Sequence, residues 1–126
     1  MSKTIIKTDK APAAIGPYSQ ATAANGIMFV SGQIPLDPET GELVKGDIKA
    51  AAHMCLKNVK AILEEAGSGL DNVLKTVVYL KSMDDFAAVN EVYAQYFTGD
   101  YPARACFAVA ALPKDADVEI EAIASL

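Results

Sequence analysis

The sequence predicts an α+β fold in which a mixed sheet carries two helices on one of its faces. Short apolar runs of strand length occur near both ends and in the middle of the chain, and two longer segments repeat at helical spacing. The elements follow in the order strands, helix, strand, helix and two strands. With 126 residues, the chain is expected to form a single domain over residues 1–126.

Local signals justify the elements of the first half. Residues 4–7 are a short candidate strand, and residues 27–33 are a stronger one. Turn-forming residues then fill the segment 35–46. Asp47 is suited to cap a helix whose apolar residues keep helical spacing until Gly67 ends it.

The second half continues with a strand, a helix and two strands. Residues 72–81 are rich in valine, which predicts a strand buried on both faces. Residues 84–97 carry an apolar helical stripe, and residues 103–111 and 117–124 are read as strands. The short connection between these last two strands favours a hairpin.

The two helices can cover only one face of such a sheet. Several strands are apolar on both faces, and no further segment of the chain is left to cover the second face. Another subunit is the simplest cover, so the sequence predicts a homo-oligomer.

Composition disfavours several classes of protein. Eleven basic against sixteen acidic residues give a net charge of −5, which makes nucleic acid an unexpected partner. No uncharged apolar run approaches the roughly 18 residues of a membrane span, and the N-terminus lacks a signal-peptide pattern. We therefore expect a cytoplasmic protein with reduced thiols at Cys55 and Cys106. A single histidine, His53, predicts no histidine-rich metal site.

Arg104 is the only arginine, whereas the other ten basic residues are lysines. Strand alternation places Arg104 and Cys106 on one face, and we expect the larger apolar residues, such as Phe107, to take the core side opposite them. Arg104 is either a structural charge, in an interface ion pair or in water at the strand end, or the centre of an anion site. A guanidinium suits the second role because its planar fork matches a carboxylate.

Two acidic residues, Glu119 and Glu121, alternate with apolar residues in the last strand. They form either an acidic outer face or a site where a carboxylate holds or deprotonates a water. The expected hairpin would bring Glu119 close to Cys106. That thiol is either a nucleophile or, since no base stands out beside it, a small packed side chain.

Four further residues allow two interpretations each. Asn90 lies on the apolar stripe of the second helix, where it ties down a loop or faces a ligand. Tyr18 follows the rigid Gly16-Pro17 turn and is either packed or directed into a cleft. Ser31 and Gly32 end a strand, and the glycine is either part of a β-bulge or a point where a ligand approaches the backbone.

Five sequence blocks resemble the RidA/YjgF family of reactive-intermediate deaminases, which is also described as endoribonuclease or translation inhibitor. The blocks occur in family order and span nearly the whole chain: APAAIGPYSQ at 11–20, SGQIP at 31–35, VNEVY at 89–93, PARAC at 102–106, and LPKD leading to VEIEA at 112–122. The resemblance implies a chorismate-mutase-like α+β fold that forms a homotrimer with three clefts between subunits. It implies no metal and no cofactor.

The resemblance also implies an activity and a site. The activity is the hydrolysis of 2-iminopropanoate, 2-iminobutanoate and their enamine tautomers to 2-oxo acids and ammonia. By motif, Arg104 would bind the substrate carboxylate and Glu119 would position the attacking water. The remaining positions that match the cleft lining are Tyr18, Ser31, Gly32, Asn90 and the backbone of Cys106.

Two alternatives stay open beside this activity, and two residues depart from the family pattern. A non-catalytic trimer could bind small carboxylates or regulate a partner protein, and an endoribonuclease is disfavoured by the negative charge. Ala105 and Ala111 stand where many relatives carry serine and a second arginine, and these departures are expected to change the rim of the cleft or the substrate range rather than a catalytic role.

Overall fold

A computed structural model describes residues 2–126, and six strands of these residues form one mixed sheet. The strands are β1 (Thr4–Ile6), β2 (Ala21–Ala24), β3 (Ile27–Gln33), β4 (Val73–Leu80), β5 (Ala103–Ala108) and β6 (Val118–Ser125). Their order across the sheet is β1-β2-β3-β6-β4-β5. All neighbouring pairs are antiparallel except β4 and β5, which run parallel.

Two helices, α1 (Ile48–Glu65) and α2 (Phe86–Tyr96), follow the predicted pattern. The side chain of Asp47 caps α1 by accepting a hydrogen bond from the amide of Ala50 at 3.1 Å. Gly67, with a φ of +81°, ends this helix as predicted. Within residues 2–126, neither helix has the length and apolar character that crossing a membrane requires.

Both helices pack on the same face of the sheet, and the predicted α+β architecture is confirmed. Apolar residues of α1 meet those of the central strands in one continuous core. Its largest fully buried side chains are Met28, Leu56, Ile62, Leu63, Leu80 and Ile120. The sulfur of Cys55 lies in this core, 3.7 Å from the carbonyl oxygen of Val118.

Strand β2 was not predicted from the sequence. Its four residues, Ala-Thr-Ala-Ala, lack the large β-branched and aromatic side chains that usually indicate a strand. The β2–β3 hairpin is instead indicated by Asn25 and Gly26, whose φ angles of +54° and +77° suit a tight two-residue turn.

The predicted hairpin of the last two strands is wrong, because β4 lies between β5 and β6. Helix α2 connects β4 to β5 as a parallel crossover, so β5 occupies the edge of the sheet. Strand β6 then returns to the far side of β4 and pairs with both β4 and β3. The short connection between β5 and β6 therefore crosses over β4.

The predicted assignment of sheet faces is also wrong for β5. Arg104 and Cys106 do share a face, but it is the face that the helices cover, since Cys106 packs against the core. Phe107 points to the opposite, open face and is 46% exposed. Strand β4 is likewise not buried on both faces, because Val77 and Tyr79 on the open side are only half-buried.

No segment within residues 2–126 covers the open face of the sheet. Phe29 on β3 and Ile5 on β1 remain 53% and 54% exposed on it. This exposed apolar surface agrees with the sequence-based expectation that one sheet face is left for another subunit.

Candidate active site

Arg104 lies on the edge strand β5, and its guanidinium rests on aromatic side chains of α2. Its Cζ atom lies 4.8 Å from the ring centre of Tyr93 and 5.6 Å from that of Phe86. Among residues 2–126, no carboxylate forms a salt bridge with Arg104. An intrachain ion pair is therefore not what holds this arginine.

Asn90 fixes the orientation of the guanidinium. The Nη1 atom of Arg104 donates a hydrogen bond to Oδ1 of Asn90 at 2.7 Å. Asn90 therefore binds a side chain of the candidate site, rather than the loop carbonyl considered from the sequence. This amide neutralises no charge, so the fork keeps both its positive charge and its remaining donors.

Cys106 lies two residues further along β5, on the same face as Arg104. Burial raises the pKa of its thiol, although the nearby charge of Arg104 acts in the opposite direction. A raised pKa keeps the sulfur in its neutral form and disfavours its use as a nucleophile. Both residues belong to β5, so the backbone of Cys106 lies close to Arg104 at the edge of the sheet.

Tyr18, Ser31 and Gly32 form a second group, which surrounds a cavity of about 290 Å³. Tyr18 is 53% exposed, so it is not a packed core tyrosine. The hydroxyl of Ser31 donates to the carbonyl of Ser19 at 2.6 Å and ties the Tyr18 loop to β3. The pairing of β3 with β6 is irregular between Val30 and Gln33, which confirms the bulge considered for Gly32.

Glu119 joins this second group because its carboxyl group lies directly over Gly32. A Cβ atom at position 32 would stand only 2.8 Å from Cδ of Glu119, so only glycine leaves this space free. Burial, and secondly the charge of Glu121, raise the pKa of Glu119 above its ordinary value. A carboxylate with a raised pKa is a stronger base and is suited to accept a proton from water.

Glu121 neighbours Glu119 on the open face but has its own partner. It accepts a hydrogen bond from the hydroxyl of Tyr79, and this bond is the main cause that raises the pKa of Tyr79 to about 12. In the sheet, Tyr79 is the direct cross-strand neighbour of Glu119. The two glutamates therefore differ, since Glu121 is engaged by the tyrosine and Glu119 is not.

The structure does not bring the first group, which consists of Arg104, Asn90 and Cys106, close to the second group within one chain. Arg104 pairs in register with Thr76, whose side chain faces α2, whereas Glu119 pairs with Tyr79 on the open face. Arg104 and Glu119 therefore lie on opposite faces of the sheet and two strands apart. The expectation that Glu119 approaches Cys106 in the same chain is wrong, because it rested on the hairpin that does not form.

Two aromatic residues at the site, Phe86 and Tyr93, lie in the apolar stripe predicted over residues 84–97 and are not among the predicted site residues. Their positions relative to Asn90, four residues before and three after it, place all three on one line along α2. This spacing is the sequence signal from which Phe86 and Tyr93 could have been predicted as site residues. Among residues 2–126, no cluster of three or more His, Cys, Asp or Glu side chains could hold a metal ion.

Comparison with known proteins gives a consistent family. The family model described as "Endoribonuclease L-PSP" matches residues 8–126. A RutC family protein of Pyrococcus abyssi is 56% identical over 98% of both chains. A protein of Mus musculus named 2-iminobutanoate/2-iminopropanoate deaminase is 52% identical over 97% of this chain and 90% of its own length.

A solved structure gives the same result at the level of the fold. The crystal structure of a conserved Rid family protein from Yersinia pestis superposes with a TM-score of 0.97 at 48% identity, covering 99% of this chain and 100% of the other. The sequence match, the relatives and this structural match agree over nearly the full length of both chains. The chain therefore belongs to the RidA/YjgF family.

Proposed function

We propose that this protein hydrolyses reactive 2-imino acids, such as 2-iminopropanoate and 2-iminobutanoate, to 2-oxo acids and ammonia. The observation that carries the proposal is the state of Arg104. Its guanidinium is held by the amide of Asn90 and by aromatic rings, and no carboxylate of residues 2–126 neutralises it. A charged fork held in this way is suited to bind the carboxylate of a small acid.

The proposal requires a second copy of the chain at each site. Arg104 and Glu119 lie on opposite faces of one sheet, so a single chain cannot direct both at one substrate. A neighbouring subunit on the open face would bring its own first group, which contains Arg104, close to the second group, which contains Glu119. We propose a homotrimer with three such clefts, which agrees with the exposed apolar side chains of the open face.

The proposed reaction depends more on the correct placement of the substrate and the attacking water than on a strong nucleophile. Arg104 holds the carboxylate, and the protonated imine carbon next to it is already electrophilic. Glu119 accepts a proton from water as the oxygen adds to this carbon, which forms a tetrahedral carbinolamine. The protonated Glu119 returns this proton to the nitrogen, and the C–N bond breaks with its electrons on nitrogen, so that ammonia leaves. The hydroxyl oxygen then forms the C=O bond and releases its proton to the Glu119 carboxylate, which restores the starting protonation state of the site after that proton passes to water.

The mouse relative named as a deaminase supports this proposal, while other relatives carry only the RutC family name. The family description as an endoribonuclease suggests a different activity. A net charge of −5 and a single arginine disfavour RNA binding, because phosphate contacts require clustered basic residues. The deaminase is therefore the function that the site favours.

A coupled assay tests the proposal. A threonine dehydratase generates 2-iminobutanoate, and semicarbazide traps the imine that has not been hydrolysed. We expect the wild-type protein to suppress semicarbazone formation and to accelerate release of 2-oxobutanoate. Arg104→Lys should lose about 100-fold in kcat/KM, because lysine keeps the charge but lacks the two-pronged fork.

A surface variant provides the control. Lys49→Ala removes an exposed ion pair with Glu91 and should keep wild-type activity. Light scattering should give a mass close to three times 13.3 kDa. Unaltered activity of Arg104→Lys, or a fully active monomer, would contradict the proposed site.

A further inference from the structure

The ring on which Arg104 rests is itself anchored by a buried hydrogen bond. The hydroxyl of Tyr93 lies 2.7 Å from Oγ1 of Thr76, and the two residues are only 5% and 1% exposed. Thr76 is also the residue directly beside Arg104 in the β4–β5 ladder. The strand neighbour of the arginine therefore holds the aromatic ring that supports the guanidinium.

A hydrophobic core has little need for this polar pair. Valine and phenylalanine have nearly the same shapes as threonine and tyrosine, and replacing both partners of a buried hydrogen bond by apolar groups is often nearly neutral for stability. The pair does, however, fix the tilt of the Tyr93 ring, which Phe97 contacts with a centroid distance of 4.5 Å. The ring is thus held both by a hydrogen bond and by packing.

Arg104 needs such support because it is exposed on an edge strand, where a long side chain samples many rotamers. A carboxylate partner would order it but would also occupy the fork that the substrate requires. An aromatic face attracts the guanidinium without taking its N–H donors, so the fork stays available while its plane is fixed.

We infer that Tyr93 and Thr76 are positioning residues that orient the fork of Arg104 toward the substrate carboxylate. This inference rests on the proposed function, in which Arg104 binds that carboxylate. Tyr93 and Thr76 act through the arginine and touch no reacting atom. Their contribution therefore belongs to carboxylate binding, in the ground state and the transition state alike, and should affect KM more than kcat.

Two variants test the inference from different sides. Tyr93→Leu removes the ring face, and we expect about a tenfold rise in KM for the imine and in Kd for 2-oxobutanoate, with kcat changed by less than about threefold. The double variant Tyr93→Phe with Thr76→Val keeps the ring and leaves no buried polar group unpaired. It should raise both constants by about threefold, and it keeps the test valid if Tyr93→Leu does not fold.

Tyr96 supplies the matched control on the same helix. Its hydroxyl lies 2.9 Å from Nδ1 of His53, away from Arg104. Tyr96→Leu therefore removes the same groups as Tyr93→Leu, and Tyr96→Phe removes the same tyrosine hydroxyl as the double variant. Both should leave KM and Kd unchanged.

A double-mutant cycle with Arg104→Lys separates positioning from a general structural role. If Tyr93 acts through the fork, Tyr93→Leu should change Kd by less than about twofold once the fork is absent. An equal effect in both backgrounds, or a fall in kcat and Tm with no change in KM and Kd, would overturn the inference.

Binding and turnover also separate this inference from the proposed function. Calorimetry with 2-oxobutanoate needs no catalysis, so a wild-type protein that binds the acid without hydrolysing imine would refute the deaminase alone. Wild-type turnover together with unchanged constants in the Tyr93 variants would refute the positioning role alone. A wild-type protein that neither binds nor hydrolyses would refute both.

Discussion

Replacing Gly32 by alanine adds a single methyl group against the carboxyl group of Glu119. The new Cβ atom would lie closest to Oε2 of the glutamate and would stand 2.8 Å from Cδ and 3.2 Å from Cγ, whereas ordinary van der Waals contact begins at 3.4 Å. The carboxyl carbon must therefore retreat by roughly 0.6 Å and its oxygen Oε2 by more, because the backbone on the other side of the methyl group is fixed in the sheet. The variant moves the proposed base without changing its chemistry.

The expected loss is in the catalytic step rather than in folding. Misplacing a reacting group by about 1 Å costs on the order of 100-fold, so a shift of roughly 0.6 Å at Cδ and more at Oε2 should lower kcat by about 10- to 100-fold. Alanine at a permitted backbone geometry stabilises a protein by about 0.4–1 kcal/mol through the unfolded chain. Forcing the glutamate off its rotamer costs about 0.5–1.5 kcal/mol, so the two effects nearly offset each other.

The assay compares this variant with a second glycine-to-alanine change. Gly69 has extended backbone, with a φ of 178°, and a Cβ atom there would meet nothing within 4 Å. Gly69→Ala should keep wild-type kcat, whereas Gly32→Ala should lose it in the imine-trapping assay. Both variants should melt within about 4 °C of the wild type.

A kcat of Gly32→Ala within twofold of the wild-type value would refute the reasoning, since the position of the Glu119 carboxylate would then not matter. A rise confined to KM would indicate instead that the methyl group blocks the ligand at the backbone of Gly32.

The remaining predictions concern the proposed base and its neighbours. Cys106→Ala should keep most of the activity in the trapping assay, because the raised pKa leaves its thiol neutral and the proposed reaction uses only its backbone. Glu119→Gln should lose on the order of 100-fold, and the reverse order would indicate thiol chemistry. Glu121→Gln removes a negative charge that raises the pKa of Glu119, so the acidic limb of the pH–rate profile should move to lower pH. The shift should be partial, since burial is the larger cause, and an unmoved limb would show that Glu119 does not control it.

The parts of the fold that depend on neighbouring residues were predictable from the sequence. Asp47 and Gly67 mark the ends of α1 because a helix cap and a left-handed terminal residue act within a few positions. The hairpin of β2 and β3 depends equally on local residues, but it was not predicted. The alanines of β2 hid the strand, although the Asn25-Gly26 turn is a local signal for the hairpin.

The pairing of β5 could not be predicted in this way. Its parallel partner β4 precedes it in the chain and is separated from it by helix α2. The short segment between β5 and β6 carries no sequence signal that β4 lies between these two strands. Loop length limits how far two strands can be apart, but it does not determine that they pair.

The faces of the sheet were ambiguous for a different reason. Alternation correctly groups Arg104 with Cys106, but the size of Phe107 suggested the wrong face for the core. Large apolar residues mark the core only when one face of a sheet is buried. Here the open face is apolar as well, so side-chain size cannot distinguish the two. Of the candidate site, the residue types were predictable, and their division into two groups was not.

The division of Arg104 and Glu119 between opposite faces has a genetic consequence under the proposed trimer. Each cleft would take its arginine from one subunit and its glutamate from the neighbour, so a defect in one residue would not disable every cleft that contains the subunit. Two alleles, one encoding Arg104→Lys and one encoding Glu119→Gln, would each lose most of their activity alone. Expressed together in equal amounts, they would form mixed trimers in which about a quarter of the clefts combine the intact arginine of one product with the intact glutamate of the other. The placement of these two residues on opposite faces of the sheet would thus allow two loss-of-function alleles to complement each other within a single gene.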